Sequence, residues 1–209
     1  IPDYRGSNES KGYVLPFPYV DYRGDLLKID RKGIYSRIFQ TDRLRLEMSA
    51  DASVPVKSED NGARQGMPDL DPTFEIGPSL EICLSADCKS KNTWMFRMPM
   101  RAVIASDFSR VDSAGWVLNP YLNFDGHVPG PGGAWNFGVA AGPMFANGRF
   151  HEYYYGVAPA YATATRPVYN ARGGYSGFRV ATAVSKRFEN YWVGIFARYD
   201  NLSGAVFED

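Results

Sequence analysis

Few residues in this 209-residue chain combine the type and the spacing that chemistry needs. His151 and Glu152 are neighbours and could form an acid–base couple. They sit in the aromatic run Arg149–Val157 (RFHEYYYGV), which reads as a short strand, with no Ser or Asp placed to complete a nucleophilic site. Both side chains are therefore read as structural. His127 lies in the Pro/Gly loop HVPGPGG, where a surface role fits better than ligation. Cys83 and Cys88 are close enough to face each other across a hairpin turn. Three states are open to them: a disulfide, two free thiols, or half of a metal site. In an oxidising compartment a disulfide would contribute about 2 kcal/mol in the chain-entropy picture. A metal site lacks further ligands, since there is no third cysteine and both histidines are far off in sequence. No catalytic, cofactor-binding or metal-binding residue is assigned.

The charges that alternate with apolar residues are more informative. Arg43, Arg45, Glu47, Glu75, Glu81, Arg97, Arg101, Arg179, Arg187 and Arg198 form a candidate lumen set, with Glu75, Glu81, Arg97, Arg101, Arg179 and Arg198 at its centre. A mixed-sign interior gives either a narrow selective channel or ion pairs that fill and stiffen a closed pore. Arg64, in a long loop, either folds inward as a plug or projects as a binding surface.

The elements that would position these groups are strands. In Ala114–Asp125 the even positions Ala114, Trp116, Leu118, Pro120, Leu122 and Phe124 are apolar, while the odd ones are mostly small or polar. About ten residues of such alternation suffice for a tilted strand to cross a bilayer. Similar stretches start near Phe74, Trp94 and Trp135, recurring about every twenty residues in the manner of an up-and-down antiparallel meander. Leu44–Met48 and Phe178–Val184 also alternate, and Trp192–Tyr199 follows a turn at Glu189-Asn190. Nearer the start, Val14–Tyr22 is extended, with Pro16 and Pro18 barring helix. Gly24-Asp25 is a turn, and Leu26–Asp30 with Gly33–Phe39 reads as one strand broken by a bulge. Asn147-Gly148 signals a hairpin turn. Asp51–Pro72 and Ala158–Gly173 are long loops that this strand count places at opposite ends. The total is ten or eleven strands in a single domain, residues 1–209, with no helix. Pro78, Pro99, Pro120 and Pro143 lie mid-strand, where each removes a ladder donor, and a line of bulges or kinks at one level is the expectation.

Net charge is zero, which gives no footprint for nucleic acid or a polybasic anchor. No run approaches the about 18 apolar residues of a membrane helix, although barrel strands carry a weaker signal. Aromatic residues make up 15% of the chain, and seven lysines stand against sixteen arginines. A soluble sheet ordinarily protects its water face with Lys and Thr, whereas a crowded hydrated lumen suits small residues and pairable charges. Trp94, Trp116, Trp135 and Trp192 fall at strand starts, so alternate strands would bring them to both rims as an aromatic girdle. The competing reading makes them core residues at sheet edges. On the first reading Trp116, Leu118, Leu122 and Phe124 face lipid, and Asn119, Tyr121 and Asn123 face the lumen.

PDYRGS (Pro2–Ser7), LPFPYVDYRGD (Leu15–Asp25), RQGMPDL (Arg64–Leu70), EIGPSLE (Glu75–Glu81), YYYGV (Tyr153–Val157) and YDNLSGAVFED (Tyr199–Asp209) occur in order along the chain. Together they resemble the MipA/OmpV family of Gram-negative outer-membrane proteins. The resemblance implies an all-β fold, an antiparallel up-and-down transmembrane β-barrel of about twelve strands in the parent chain. It also implies a monomer in outer-membrane lipid, made with a cleaved signal peptide. Namesake members are MltA-interacting scaffolds that join a lytic murein transglycosylase to a murein synthase. Others are porin-like or adhesive. No catalytic residue and no cofactor is carried over. Family chains have a strand before the PDYRGS-like motif and another after the FED-like motif. Ile1 without a signal peptide and the missing terminal strands lead to the expectation of a trimmed chain with open edges. The leading function is a non-enzymatic scaffold for murein-remodelling enzymes. The alternatives are a porin-like small-solute channel or surface adhesin, and a soluble lipocalin-like carrier lined by apolar side chains.

Overall fold

The computed structural model describes residues 3–7, 9, 22–23, 27–30, 33–107, 109–130, 133–188 and 192–207. The Pro16/Pro18 segment, the Gly24-Asp25 turn and the Glu189-Asn190 turn lie outside them. The strands are β1 (Tyr22–Arg23), β2 (Leu27–Asp30), β3 (Gly33–Gln40), β4 (Leu44–Ala52), β5 (Thr73–Cys83), β6 (Thr93–Ser106), β7 (Val111–Leu118), β8 (Tyr121–Val128), β9 (Trp135–Ala146), β10 (Gly174–Arg187) and β11 (Trp192–Asn201). One helix, α1 (Gly148–Tyr155), interrupts them. All pairings are antiparallel, and sequence neighbours other than β7 and β8 are sheet neighbours, which makes the fold the expected all-β meander. Among the described residues, no pairing joins β11 back to β1, β2 or β3.

Two expectations about strand limits are corrected. Residues 27–40 are not one bulged strand: Asp30 pairs with Gly33, so β2 and β3 form a hairpin. The alternating stretch Ala114–Asp125 is one path divided in two, because β7 and β8 lie end to end between β6 and β9.

The division occurs at Pro120 and belongs to a belt of ladder gaps. Pairing between β5 and β6 skips from Ile76↔Ala102 to Ser79↔Pro99, past Pro78. Between β6 and the β7–β8 path it skips from Met100↔Leu118 to Arg97↔Tyr121. Against β9 it skips from Leu118↔Phe145 to Leu122↔Ala141, a register that sets Pro120 opposite Pro143. Each of these skips spans equal numbers of residues on both strands, so they are gaps and not bulges. Pro143 is flanked by a register shift on its other side, between Tyr175 and Phe178, where Phe178 is its partner; the remaining shifts lie away from the prolines, at Arg37/Phe39 and Val103/Ile104. A missing N–H donor costs least where the ladder is already open. The Asn119 side chain takes up one freed carbonyl, donating to Pro143 O at 2.7 Å. Strands draw close at these gaps because glycine stands there. A Cβ on Gly142 would lie 2.1 Å from Pro120 O, and one on Gly77 would lie 2.0 Å from Met100 O.

The two faces are inverted relative to a water-soluble sheet. Along β5, Thr73, Gly77, Ser79, Glu81 and Cys83 are buried while Phe74, Ile76 and Pro78 are exposed. Trp94 is 51% exposed, Glu81 only 4%. Trp116 and Leu122 are exposed while Asn119 is buried, as expected, but Ala114, at the register shift opposite Val103 and Ile104, turns inward. The polar face is the concave one, since strands β5, β6, β7, β9, β10 and β11 all direct residues of that face toward α1 or the segments packed on it.

Expecting a strand at Arg149–Val157 put the two long loops at opposite ends. The helix there removes one chain reversal, and residues 53–72 and 147–173 lie at the same end. All four tryptophans are exposed. Trp94, Trp135 and Trp192 gather at the end with short connections, where Trp94 pairs with Phe124 and Val128 with Trp135. Trp116 lies toward the other end, late in β7 rather than at its start.

Gly142→Ala is expected to lower the unfolding free energy by about 1–3 kcal/mol, since backbone atoms occupy the Cβ position. Gly138→Ala, whose Cβ meets nothing closer than 3.5 Å, should stay within about 0.5 kcal/mol. Urea unfolding of the detergent-refolded protein reads both.

Candidate functional site

Helix α1 sits where the polar segments converge. Asn147 starts it instead of turning a hairpin: its Oδ1 accepts from Phe150 N at 3.1 Å, which caps the first turn. Its aromatic residues fall at helical spacing on two sides. Phe150 packs with Val103, Ala105, Ala114, Val117, Met144 and Ala146, with Tyr153 and Tyr154 against the same cluster. Phe150–Tyr154 and His151–Tyr155 are i,i+4 ring pairs at 4.9 and 6.1 Å. Asn-Gly followed by aromatics reads as a hairpin, but burial on both sides of a helix outweighs local propensity.

Three consecutive tyrosines each fasten a different segment. Tyr153 Oη donates to Asp71 O at 2.9 Å, and Tyr154 Oη meets Thr73 Oγ1 at 3.2 Å. Tyr155 Oη donates to Arg5 O at 2.8 Å, and its ring stacks on Phe207 with centroids 3.9 Å apart. Burial raises the phenol pKa of all three above the ordinary value.

His151 is 0% exposed. Its Nδ1 lies 2.6 Å from Arg172 O and its Nε2 3.0 Å from Ser176 Oγ. A carbonyl only accepts, so Nδ1 carries the proton and Nε2 accepts from the Ser176 hydroxyl. Ser176 Oγ in turn accepts from Arg5 Nη1 at 3.0 Å. Arg5 also approaches Asp200, 3.5 Å away, and Asp200 is held by Arg179 at 2.8 Å and Arg198 at 3.5 Å. The serine–histidine contact has the atoms of a nucleophile and base, but Ser176 is also fully buried and its hydroxyl is committed to this chain of bonds. The arrangement is a latch between α1, β10 and the N-terminal segment. Desolvation, with the Arg5 charge adding to it, holds the His151 pKa below its ordinary value.

Arg64 folds inward and is 5% exposed. Its Nε donates to Ser58 Oγ, Nη1 to Tyr154 O at 2.9 Å and Nη2 to Pro68 O at 3.0 Å. Arg166 binds the two long loops together through Ala63 O, Gln65 O and Tyr161 O. Glu81 lies between Arg45 at 3.4 Å and Arg97 at 3.2 Å. Arg101 lies between Glu75 at 2.8 Å and Asp51 at 3.9 Å. Glu47 is buried. Arg43 and Arg187 are exposed; Arg43 holds Ser85 O and Ala86 O in the loop that the Cys83–Cys88 disulfide closes. His127 joins Asn136 at 2.9 Å on the opposite end from α1.

Sequence reasoning did not single out Arg5, Asn61, Arg166, Ser176, Asp200 or Phe207. The motif stretches Pro2–Ser7 and Tyr199–Asp209 contained three of them, but Arg5 and Asp200 meet only through a contact between opposite ends of the sequence. Residues 1–209 match the family model described as MltA-interacting protein MipA. No curated protein and no solved structure gives a match.

An unfolded histidine titrates near about 6.5, and the folded His151 below that. Between the two values only the unfolded chain takes up the proton. The latch therefore contributes fully above pH 6.5 and is lost as pH falls toward the folded value. Stability measured by urea unfolding should drop over that interval, and the drop should flatten in His151→Gln. Arg64→Lys keeps the charge but loses the planar fork, and should cost about 1–3 kcal/mol in the same assay.

Proposed function

Because the chain belongs to the MltA-interacting protein MipA family, we propose that it is a non-enzymatic outer-membrane β-barrel protein. It docks periplasmic murein-remodelling enzymes, a lytic transglycosylase and a murein synthase, on the end capped by residues 53–72 and 147–173. One observation carries the reading: the sheet is polar on its concave side and apolar on its convex side, and its motif-bearing segments build a folded cap at one end. An apolar convex face with exposed tryptophans suits lipid as its solvent. A cap held by main-chain bonds from Arg64 and Arg166 is rigid enough to serve as a preformed docking surface.

The soluble-carrier alternative needs apolar side chains lining the interior, whereas Glu81, Arg97 and Arg101 stand on the concave face. The channel alternative is weakened by α1 and its aromatic cluster, which fill concave space at one end. The candidate lumen charges Glu75, Glu81, Arg97, Arg101, Arg179 and Arg198 then act as paired filling, not as a selectivity ring.

A photo-crosslinker at the exposed positions Lys57 or Glu59 should capture a lytic transglycosylase, and one at Lys89, on the opposite end, should not. Capture from Lys89 alone, or from none of the three in a folded chain, would reject this docking mode. Planar-bilayer recordings should show no steady conductance, and a stable open channel would restore the porin reading.

A further inference from the structure

We propose that Asp3 and Asn61 form the protein part of a binding site for a hard divalent cation of the calcium class, at the joint between the N-terminal segment and the 53–72 loop. Asp3 is 5% exposed and Asn61 0%. Asn61 Nδ2 donates to Asp3 Oδ2 and to Ser7 Oγ, both at 3.0 Å. Those bonds fix the carboxamide, so its Oδ1 is the free acceptor. Both Asn61 Oδ1 and Asp3 Oδ1 are buried without a hydrogen-bond partner. The bond between Asn61 Nδ2 and Asp3 Oδ2 keeps the two side chains side by side, each with one buried oxygen left over.

The charge balance points the same way. A buried carboxylate ordinarily has a cationic partner. The two arginines nearest in the cap serve other groups: Arg5 turns to Ser176 and Asp200, and Arg64 to Ser58, Tyr154 O and Pro68 O. Among the described residues no Lys or Arg forms an ion pair with Asp3. Glu9 brings a second negative charge to the joint, its Oε1 accepting from Gly62 N at 2.9 Å while Glu9 O accepts from Asp3 N. Ser7 Oγ, which already accepts from Asn61 Nδ2 and Glu9 N, orients the joint and does not ligate; the carboxylate and carboxamide oxygens that remain, with no nitrogen or sulfur ligand among them, suit calcium better than zinc. Water would complete the coordination. The inference stands independently of the docking reading, since it concerns how the cap is held and not what it binds.

Terbium luminescence on the full-length chain in detergent tests it, with Tyr4, next to Asp3, as the antenna. Sensitised emission that calcium displaces, together with a higher melting temperature in calcium than in a chelator, is the expected result. Asp3→Asn should weaken binding by about tenfold or more, and Asn61→Asp, which adds a charged oxygen, should tighten it by about tenfold. The second variant decides the matter if Asp3→Asn fails to fold. Emission that is unaltered in Asp3→Asn, or the absence of any calcium effect in both the natural chain and Asn61→Asp, would overturn the proposal and leave a buried water as the occupant.

Discussion

An eight-residue helix cannot hold itself together in water, because the cost of its first turn is barely recovered over two turns. Helix α1 persists because Phe150 is sunk among Val103, Val117 and Met144 while His151 is sunk against Ser176. The dependence runs in both directions. The concave residues of β6, β7 and β9 at that end are small or apolar, and they would line an empty space without the helix. Three segments at this end are attached to it: the 53–72 loop through Tyr153, Tyr154 and Arg64, the N-terminal segment through Tyr155, and the tail through Phe207.

The remainder of the concave face is filled differently. Toward the end with short connections, arginine and carboxylate side chains alternate across β4, β5 and β6, with Glu81 shared by Arg45 and Arg97. Half-buried arrays of this kind contribute little net stability pair by pair, but each unpaired member would be costly, so they hold one arrangement against its neighbours. The sheet thus has two kinds of interior: ring packing around α1, and ionic packing that begins beside it at Arg5–Asp200–Arg179 and Arg101–Glu75–Asp51 and continues past the prolines. The belt of prolines lies between the ends, on strands that both kinds of interior share.

Period-two alternation was sufficient to place β5, β6, β9 and β10 and to assign which side of each is apolar, because one-residue register fixes the face of every side chain in a strand. It also showed the prolines, though not that they align; alignment is a property of register between strands, which one sequence does not display. The helix was missed for a physical reason. RFHEYYYGV has β-favouring aromatics, and only the burial of its two unlike sides makes a helix the better state. That single difference moved a long loop to the other end. Of the buried groups at the cap, the motif stretches flagged where Arg5 and Asp200 lie, but no local spacing relates Arg5 to Ser176 or Asn61 to Asp3.

The contacts of the N-terminal segment have a consequence for the order of assembly. Arg5 meets Ser176 across 171 positions and Tyr155 across 150. A chain made from its N-terminus therefore exposes Arg5 long before any of its acceptors exists, and the entropy of closing so large a loop delays the contact further. The meander can zip strand by strand through local hairpins, while this segment waits for α1 and β10 and docks among the last. The segment around Arg5 is thereby the seal on a structure that α1 and β10 complete.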